Sequence, residues 1–110
     1  MVPDPLEAYE ATARAWAAMP NSQRRNKVFR QNHVLFKLVR LGTDGQDLIR
    51  RLAADEDERL AALAATHALW FDEAFASPIL ARIADQNSEA GLAATWTLRE
   101  FARGALNLDW

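Results

Sequence analysis

Apolar side chains recur along this chain at the three- and four-residue spacing of amphipathic helices. In the first segment, Leu6, Tyr9, Ala13 and Trp16 fall on one helical face. Strand-type alternation rich in Val, Ile and Thr is missing, and Gly and Pro fall between the periodic stretches. The pattern therefore predicts an all-α fold. We expect six helices, at residues 5–19, 22–41, 44–54, 57–70, 78–86 and 88–103, and an irregular tail over 105–110.

Capping residues set the predicted helix starts. Asp4 precedes Pro5, and Ser77 precedes Pro78; each pair joins a capping side chain to a proline suited to the first helical position. Serines at 22 and 88 also precede periodic stretches and are expected to cap the second and sixth helices. The fifth helix is thus predicted to begin at Pro78.

A short phrase occurs twice. Residues 64–69 read Ala-Ala-Thr-His-Ala-Leu, and residues 93–98 read Ala-Ala-Thr-Trp-Thr-Leu. A period of about thirty residues in a helical chain is typical of stacked helical hairpins. The alanines let helix axes approach closely, and the matching positions His67 and Trp96 are predicted to be interior or to line a groove. We expect a single domain over residues 1–110.

Composition narrows the class of protein. The chain is 50% hydrophobic and 25% charged, which is typical of a folded domain. It has no cysteine, which excludes disulfides and thiolate metal sites. No apolar run approaches the roughly 18 residues of a membrane span, and residues 1–5 lack the features of a signal peptide. These features predict a cytoplasmic protein of bacterial type that does not associate with membranes.

Charge is distributed unevenly. Residues 21–51 hold eight basic side chains and two acids, whereas residues 52–110 hold ten acids and four arginines. Basic side chains share one flank of the second helix, beside a predicted apolar face that includes Leu38. This basic candidate surface comprises Lys27, Arg30, His33, Lys37 and Arg40. It is either a solvated helix face or a patch for an acidic protein or nucleic acid. The acidic pI of about 5.6 argues against nucleic acid.

Two further sets of residues are candidates for partner binding. The acidic candidate surface comprises Asp55, Glu56, Asp57, Glu58, Asp72 and Glu73. These carboxylates either complement helix dipoles or face a basic protein surface. The aromatic anchor candidates are Trp70, Phe71, Trp96 and Trp110. Aromatic residues at helix ends pack over a core or anchor a protein interface.

Catalytic patterns are weak. His33 and His67 lie on different predicted helices and lack the spacing of a zinc site. The serines sit at predicted caps, and no Gly-rich phosphate loop occurs. The sequence therefore predicts no catalytic, cofactor-binding or metal-binding residue, and a protein that is not an enzyme.

The chain resembles a small bacterial family called domain of unknown function 2019, which is similar to HEAT-type helical repeats. The resemblance covers roughly residues 6–105 and is carried by Asn26, Leu-Ile-Arg-Arg-Leu at 48–52, the two copies of the phrase, and the extension of the second copy to Gly104. The order Arg59-Leu60 departs from the usual HEAT-like pattern, in which a valine and an arginine follow the acidic turn together. The resemblance implies a small right-handed HEAT-like stack of antiparallel helical hairpins.

Members of this family look like immunity proteins from bacterial polymorphic-toxin loci. The resemblance thus implies an immunity protein that is monomeric before complex formation and occludes the active site of a cognate toxin encoded next door. The basic substrate channel of a nuclease toxin would attract the acids at 55–58, whereas an acidic toxin surface would favour the basic stripe. A nucleic-acid-binding helical repeat and a structural scaffolding repeat are the alternatives.

Overall fold

The computed structural model describes residues 4–110, and those residues form six α-helices and no strand. This confirms the predicted all-α class. The helices are α1 (Pro5–Ala18), α2 (Gln23–Val39), α3 (Thr43–Ala53), α4 (Glu58–Ala68), α5 (Glu73–Ala84) and α6 (Glu89–Ala102). No helix in residues 4–110 combines the length and hydropathy that a membrane crossing needs. Met1–Pro3, part of the segment expected to lack a signal peptide, lie outside the described residues.

Three of the predicted caps are confirmed. The Asp4 carboxylate accepts a hydrogen bond from the Leu6 backbone N–H at 2.9 Å, with Pro5 in the first turn. The Ser22 hydroxyl accepts from the Arg25 N–H at 3.1 Å. The Ser88 hydroxyl accepts from the Gly91 N–H at 3.0 Å. Each side chain partners one of the N–H groups that a helix start leaves without an intrahelical acceptor.

The predicted start of the fifth helix is wrong. α5 begins at Glu73, five residues before the expected start, and Pro78 lies inside it. The cause is Asp72, whose carboxylate accepts a hydrogen bond from the Phe75 N–H at 3.2 Å and caps an earlier first turn. Pro78 has no N–H to donate to the carbonyl four residues before it, yet the helix continues through it.

The structure divides into two compact units, the first ending at Leu48 and the second beginning at Ile49. The prediction of a single domain stays a prediction. In the first unit α1 packs against α2 around Tyr9 and Phe36, both fully buried. Burial raises the pKa of the Tyr9 phenol, because the phenolate would lose its hydration. Leu38, which lies on the predicted apolar face of α2, is 56% exposed.

A buried polar side chain joins the two helices of the first unit. Asn32 is fully buried on α2, and its Nδ2 donates to the Tyr9 carbonyl at 3.1 Å and to Thr12 Oγ1 at 3.0 Å. The Thr12 hydroxyl in turn donates to the Ala8 carbonyl at 2.9 Å. A buried amide that lost these acceptors would carry its full desolvation penalty, so the contact fixes how α2 sits on α1.

The second unit is built around α4, which packs against both α5 and α6. Eight of its 11 residues are buried, most of them alanines. Alanine side chains let neighbouring helix axes come close together. The buried positions of α6 are also small, namely Ala90, Gly91, Ala94 and Thr97. Small side chains therefore occupy most of the buried positions of α4 and all of those of α6.

We expect the Asn32→Ala substitution to lower the free energy of unfolding by about 2 kcal/mol, because it removes two buried hydrogen bonds and leaves a small cavity. Asn26→Ala is the matched control, since Asn26 is exposed on the same helix and gains the same helix propensity. Urea denaturation of both variants measures the difference. Equal stability of the two variants would contradict the assigned role of Asn32.

Gly45 and Gly42 offer a second matched pair. A Cβ on buried Gly45 would collide with the Val39 carbonyl, whereas a Cβ on Gly42 meets no atom within 4 Å. We expect Gly45→Ala to cost about 1 to 3 kcal/mol through overpacking, and Gly42→Ala to leave stability within about 0.5 kcal/mol. Thermal denaturation followed by circular dichroism compares the two variants. A G45A variant as stable as G42A would show that the backbone at Val39 can move away from the added Cβ at little cost.

Candidate protein-binding surfaces

Two carboxylates of the acidic run 55–58 stabilise local structure. Asp57 is the N-cap of α4 and accepts hydrogen bonds from the N–H groups of Arg59 at 2.9 Å and Leu60 at 3.4 Å. Asp55 accepts from the Asp57 N–H at 2.9 Å. Glu56 and Glu58 remain exposed. The run is therefore part structural and part solvent-facing, and the idea that it faces a basic protein surface stays a prediction.

A cleft of about 300 Å³ opens in the second unit between the turn that precedes α4 and the C-terminal half of α5. Asp55, Glu56 and Glu58 lie on one side, and α5 supplies Arg82 and Gln86. Apolar side chains also line it, namely Ala54, Ala61 and Ile83. We call this the acidic cleft, because three carboxylates and only one guanidinium line it. Arg82 and Gln86 were missed by the sequence analysis, since only the fold brings α5 beside the acidic run.

The other two acidic candidates lie away from the acidic cleft. Asp72 caps α5, and its Oδ2 accepts from Arg50 Nε at 3.1 Å. The Arg50 guanidinium also lies 5.1 Å from the centre of the Phe71 ring. Glu73 is exposed in the first turn of α5, where a carboxylate complements the helix dipole. Asp72 and Phe71 therefore belong to a packed cluster with Arg50.

The basic candidate surface is not continuous. Lys27 and Arg30 are exposed and Lys37 is half-buried, but His33 is only 2% exposed and Arg40 only 8%. The Arg40 guanidinium lies 4.9 Å from the centre of the Phe36 ring, and the His33 ring lies 5.5 Å from it. The predicted exposed flank is therefore wrong at His33 and Arg40. At 100° per residue the five positions spread over an arc of about 140°, so its inner end reaches the core.

The aromatic anchor candidates differ in exposure. Trp96 is 56% exposed, Trp110 47% and Trp70 40%, whereas Phe71 is half-buried. The two copies of the repeated phrase thus occupy different surroundings, because His67, which matches Trp96, is only 2% exposed. Of the two predicted alternatives, an interior position or a groove lining, His67 takes the interior one, and Trp96 is not interior.

A row of exposed side chains on α6 was not predicted. Leu92 is 75% exposed and lies one turn before Trp96, with Glu89 and Arg99 at the two ends of the row. We call these four residues the α6 stripe. A signal for it was present in the sequence, because Ala90, Ala94 and Thr97 recur at helical spacing on the face opposite Leu92 and Trp96.

We expect Asp72→Ala to lower the free energy of unfolding by about 1 to 2 kcal/mol, because it removes the cap of α5 and the partner of Arg50. Glu73→Ala is the control, since it removes a neighbouring carboxylate that only complements the helix dipole, and we expect a loss below about 0.5 kcal/mol. Guanidinium denaturation measures both, and equal losses would show that the cap contributes nothing specific.

Comparison of the chain with known proteins finds no match that would assign a function to these surfaces. No protein-family model matches the chain, and no curated protein or solved structure is similar to it at a significant level. Within residues 4–110, no three His, Asp or Glu side chains cluster as a metal site would require. The resemblance to the bacterial family stays a prediction, so the case for a function rests on the acidic cleft and the exposed apolar side chains.

Proposed function

We propose that this chain is a protein-binding module that acts as an immunity protein in the bacterial cytoplasm. In this proposal it binds a cognate toxin in a stoichiometric complex and occludes the toxin's active site, without catalysis of its own. The observation that carries the proposal is the acidic cleft, which joins carboxylates to an apolar lining within one exposed concavity. The toxin it fits best has a basic active-site groove, as a nuclease does.

The chemistry of the acidic cleft suits a basic side chain. An arginine or lysine from a partner can lay its aliphatic stem along exposed Ala54 while its charged head meets Glu56 and Glu58. Since Asp55 and Asp57 hold the turn through hydrogen bonds, the two glutamates are presented from a fixed backbone. A site that is ordered before binding loses less conformational entropy when a partner arrives.

The distribution of charge supports fast capture of such a toxin. Ten of the 15 acidic residues fall within residues 52–110, where only four arginines oppose them. An acidic surface of this kind steers a basic partner toward it and raises the association rate. For an immunity protein a high rate matters as much as affinity, because each free toxin molecule can act before it is bound.

Nucleic-acid binding is the weaker alternative. Phosphate contacts need exposed cations, and each Lys or Arg that neutralises a phosphate adds to affinity. On α2, Arg25 is only 5% exposed with its guanidinium 4.4 Å from the Trp16 ring, and Arg40 is also buried. Of the cations of α2, Arg24, Lys27 and Arg30 remain exposed and Lys37 is half-buried, so a phosphate-binding surface there has four side chains at most. The scaffolding alternative is favoured by a different observation, the exposed apolar side chains of α6.

The test uses the protein encoded by the adjacent reading frame and measures its affinity for this chain by isothermal titration calorimetry. We expect the double variant E56K/E58K to bind at least about tenfold more weakly, because both exposed carboxylates of the acidic cleft become repulsive to a basic partner. The matched control is K27E/R30E, which reverses two exposed charges on α2 and should change affinity by less than about twofold.

Cell growth gives an independent measurement of the same proposal. The chain should restore growth to cells that express the adjacent protein, and the E56K/E58K variant should restore less. Circular dichroism confirms that both variants are folded. A folded chain that neither binds nor protects would rule the proposal out, and loss of binding in K27E/R30E alone would move the interface to α2.

A further inference from the structure

Both exposed large apolar side chains on the helices of the second unit, Leu92 and Trp96, belong to the α6 stripe. Leu92 and Trp96 lie one turn apart and are 75% and 56% exposed. An isolated exposed leucine is ordinary, but a leucine and a tryptophan side by side mark a surface that excludes water on contact with a partner. The stripe shares no residue with the acidic cleft, so a partner that binds the stripe is independent of the proposed function.

The residues of the α6 stripe are ordered so that two antiparallel copies of the stripe would match each other in charge and in side-chain size. Glu89 lies at the N-terminal end, where its Oε1 lies 4.0 Å from Arg59 Nη2 of the same chain while its side chain stays 61% exposed, and Arg99 is exposed at the C-terminal end. Ala94 is the midpoint: Leu92 and Trp96 are each two positions from it, and Glu89 and Arg99 are each five positions from it. Reversal of the helix direction therefore exchanges leucine with tryptophan and acid with base.

We propose that the α6 stripe binds a second copy of the chain. The two α6 helices are antiparallel, and the twofold axis crosses the stripe at the height of Ala94 along the helix. Leu92 of each copy then packs on Trp96 of the other, and Glu89 of each copy meets Arg99 of the other. Every contact occurs twice, as in any isologous interface. Parallel pairing is disfavoured, because it would oppose Glu89 to Glu89 and Arg99 to Arg99.

The size of the stripe sets the strength of this dimer. From Glu89 to Arg99 the helix rises about 15 Å, and the exposed part of Trp96 offers on the order of 100 Å² for burial. Stable interfaces bury about 1,200–2,000 Å² in total, and one pair of short helices lies at the low end of that scale. The dimer is therefore weak and dissociates on dilution. This differs from the monomer expected from the sequence before complex formation.

Sedimentation velocity from about 1 µM to about 1 mM tests the dimer over the range that weak interfaces occupy. The sedimentation coefficient of the intact chain should rise with concentration. Leu92→Ala and Trp96→Ala should each raise the dimer dissociation constant about tenfold or more. Leu38→Ala is the control and should change it by less than about twofold; because Leu38 lies beside exposed Val34 and Leu41, a larger effect would place the interface on that surface instead.

Charge reversal tests the antiparallel geometry. Alone, E89R would place two arginines together at both ends of the dimer, and R99E would place two glutamates together there. Each variant should therefore dimerise about threefold to tenfold more weakly than the intact chain. An equimolar mixture of the two variants restores both opposite-charge pairs, so the mixture should recover the dissociation constant of the intact chain.

Three results would overturn the proposal. A chain that stays monomeric throughout the concentration range has no such interface. A dimer unaffected by Leu92→Ala and Trp96→Ala uses another surface. A mixture of E89R and R99E that associates no better than either variant alone excludes the antiparallel pairing. Circular dichroism of each variant at low concentration shows that α6 is still formed, so that lost dimerisation is not confused with lost folding.

Discussion

Close approach of small side chains is the constraint on which the second unit depends. Most buried positions of α4 and all those of α6 are small, so small side chains make up much of the buried surface of both helices. Leu92 and Trp96 of α6 are exposed, whereas Leu98 and Phe101 are half-buried. Small residues also line the acidic cleft, namely Ala54 and Ala61.

In the first unit, polar and charged side chains take part in the packing of α1 against α2. Asn32 joins α2 to α1 by hydrogen bonds, and Arg25 and Arg40 lay their guanidinium groups over Trp16 and Phe36. Cation–π contacts of this kind stabilise a partly desolvated arginine. Basic residues that looked available for a ligand are therefore used in folding, which explains why charge counted along the sequence overstated the charge on the surface.

The sequence was sufficient for features decided within one helical turn. Caps at Asp4, Ser22 and Ser88 follow from the residue and its neighbours, and so do the all-α class and the order of helices. It failed where two local signals competed or where tertiary packing decided. Ser77 with Pro78 is a good local start, but Asp72 forms the cap. His67 and Trp96 match in sequence, yet only the packing around α4 and α6 sets them apart.

α5 begins at Glu73, but a second capping residue and proline, Ser77 and Pro78, lie inside the helix. The turn from Glu73 to Ser77 lacks the backbone hydrogen bond that Pro78 cannot donate, so it depends on Asp72 more than an ordinary first turn would. If that turn opens, Ser77 and Pro78 are already placed to cap and start a shorter helix. The segment can therefore unfold locally without unravelling the rest of α5, and its amides should exchange with solvent sooner than those in the remainder of the helix.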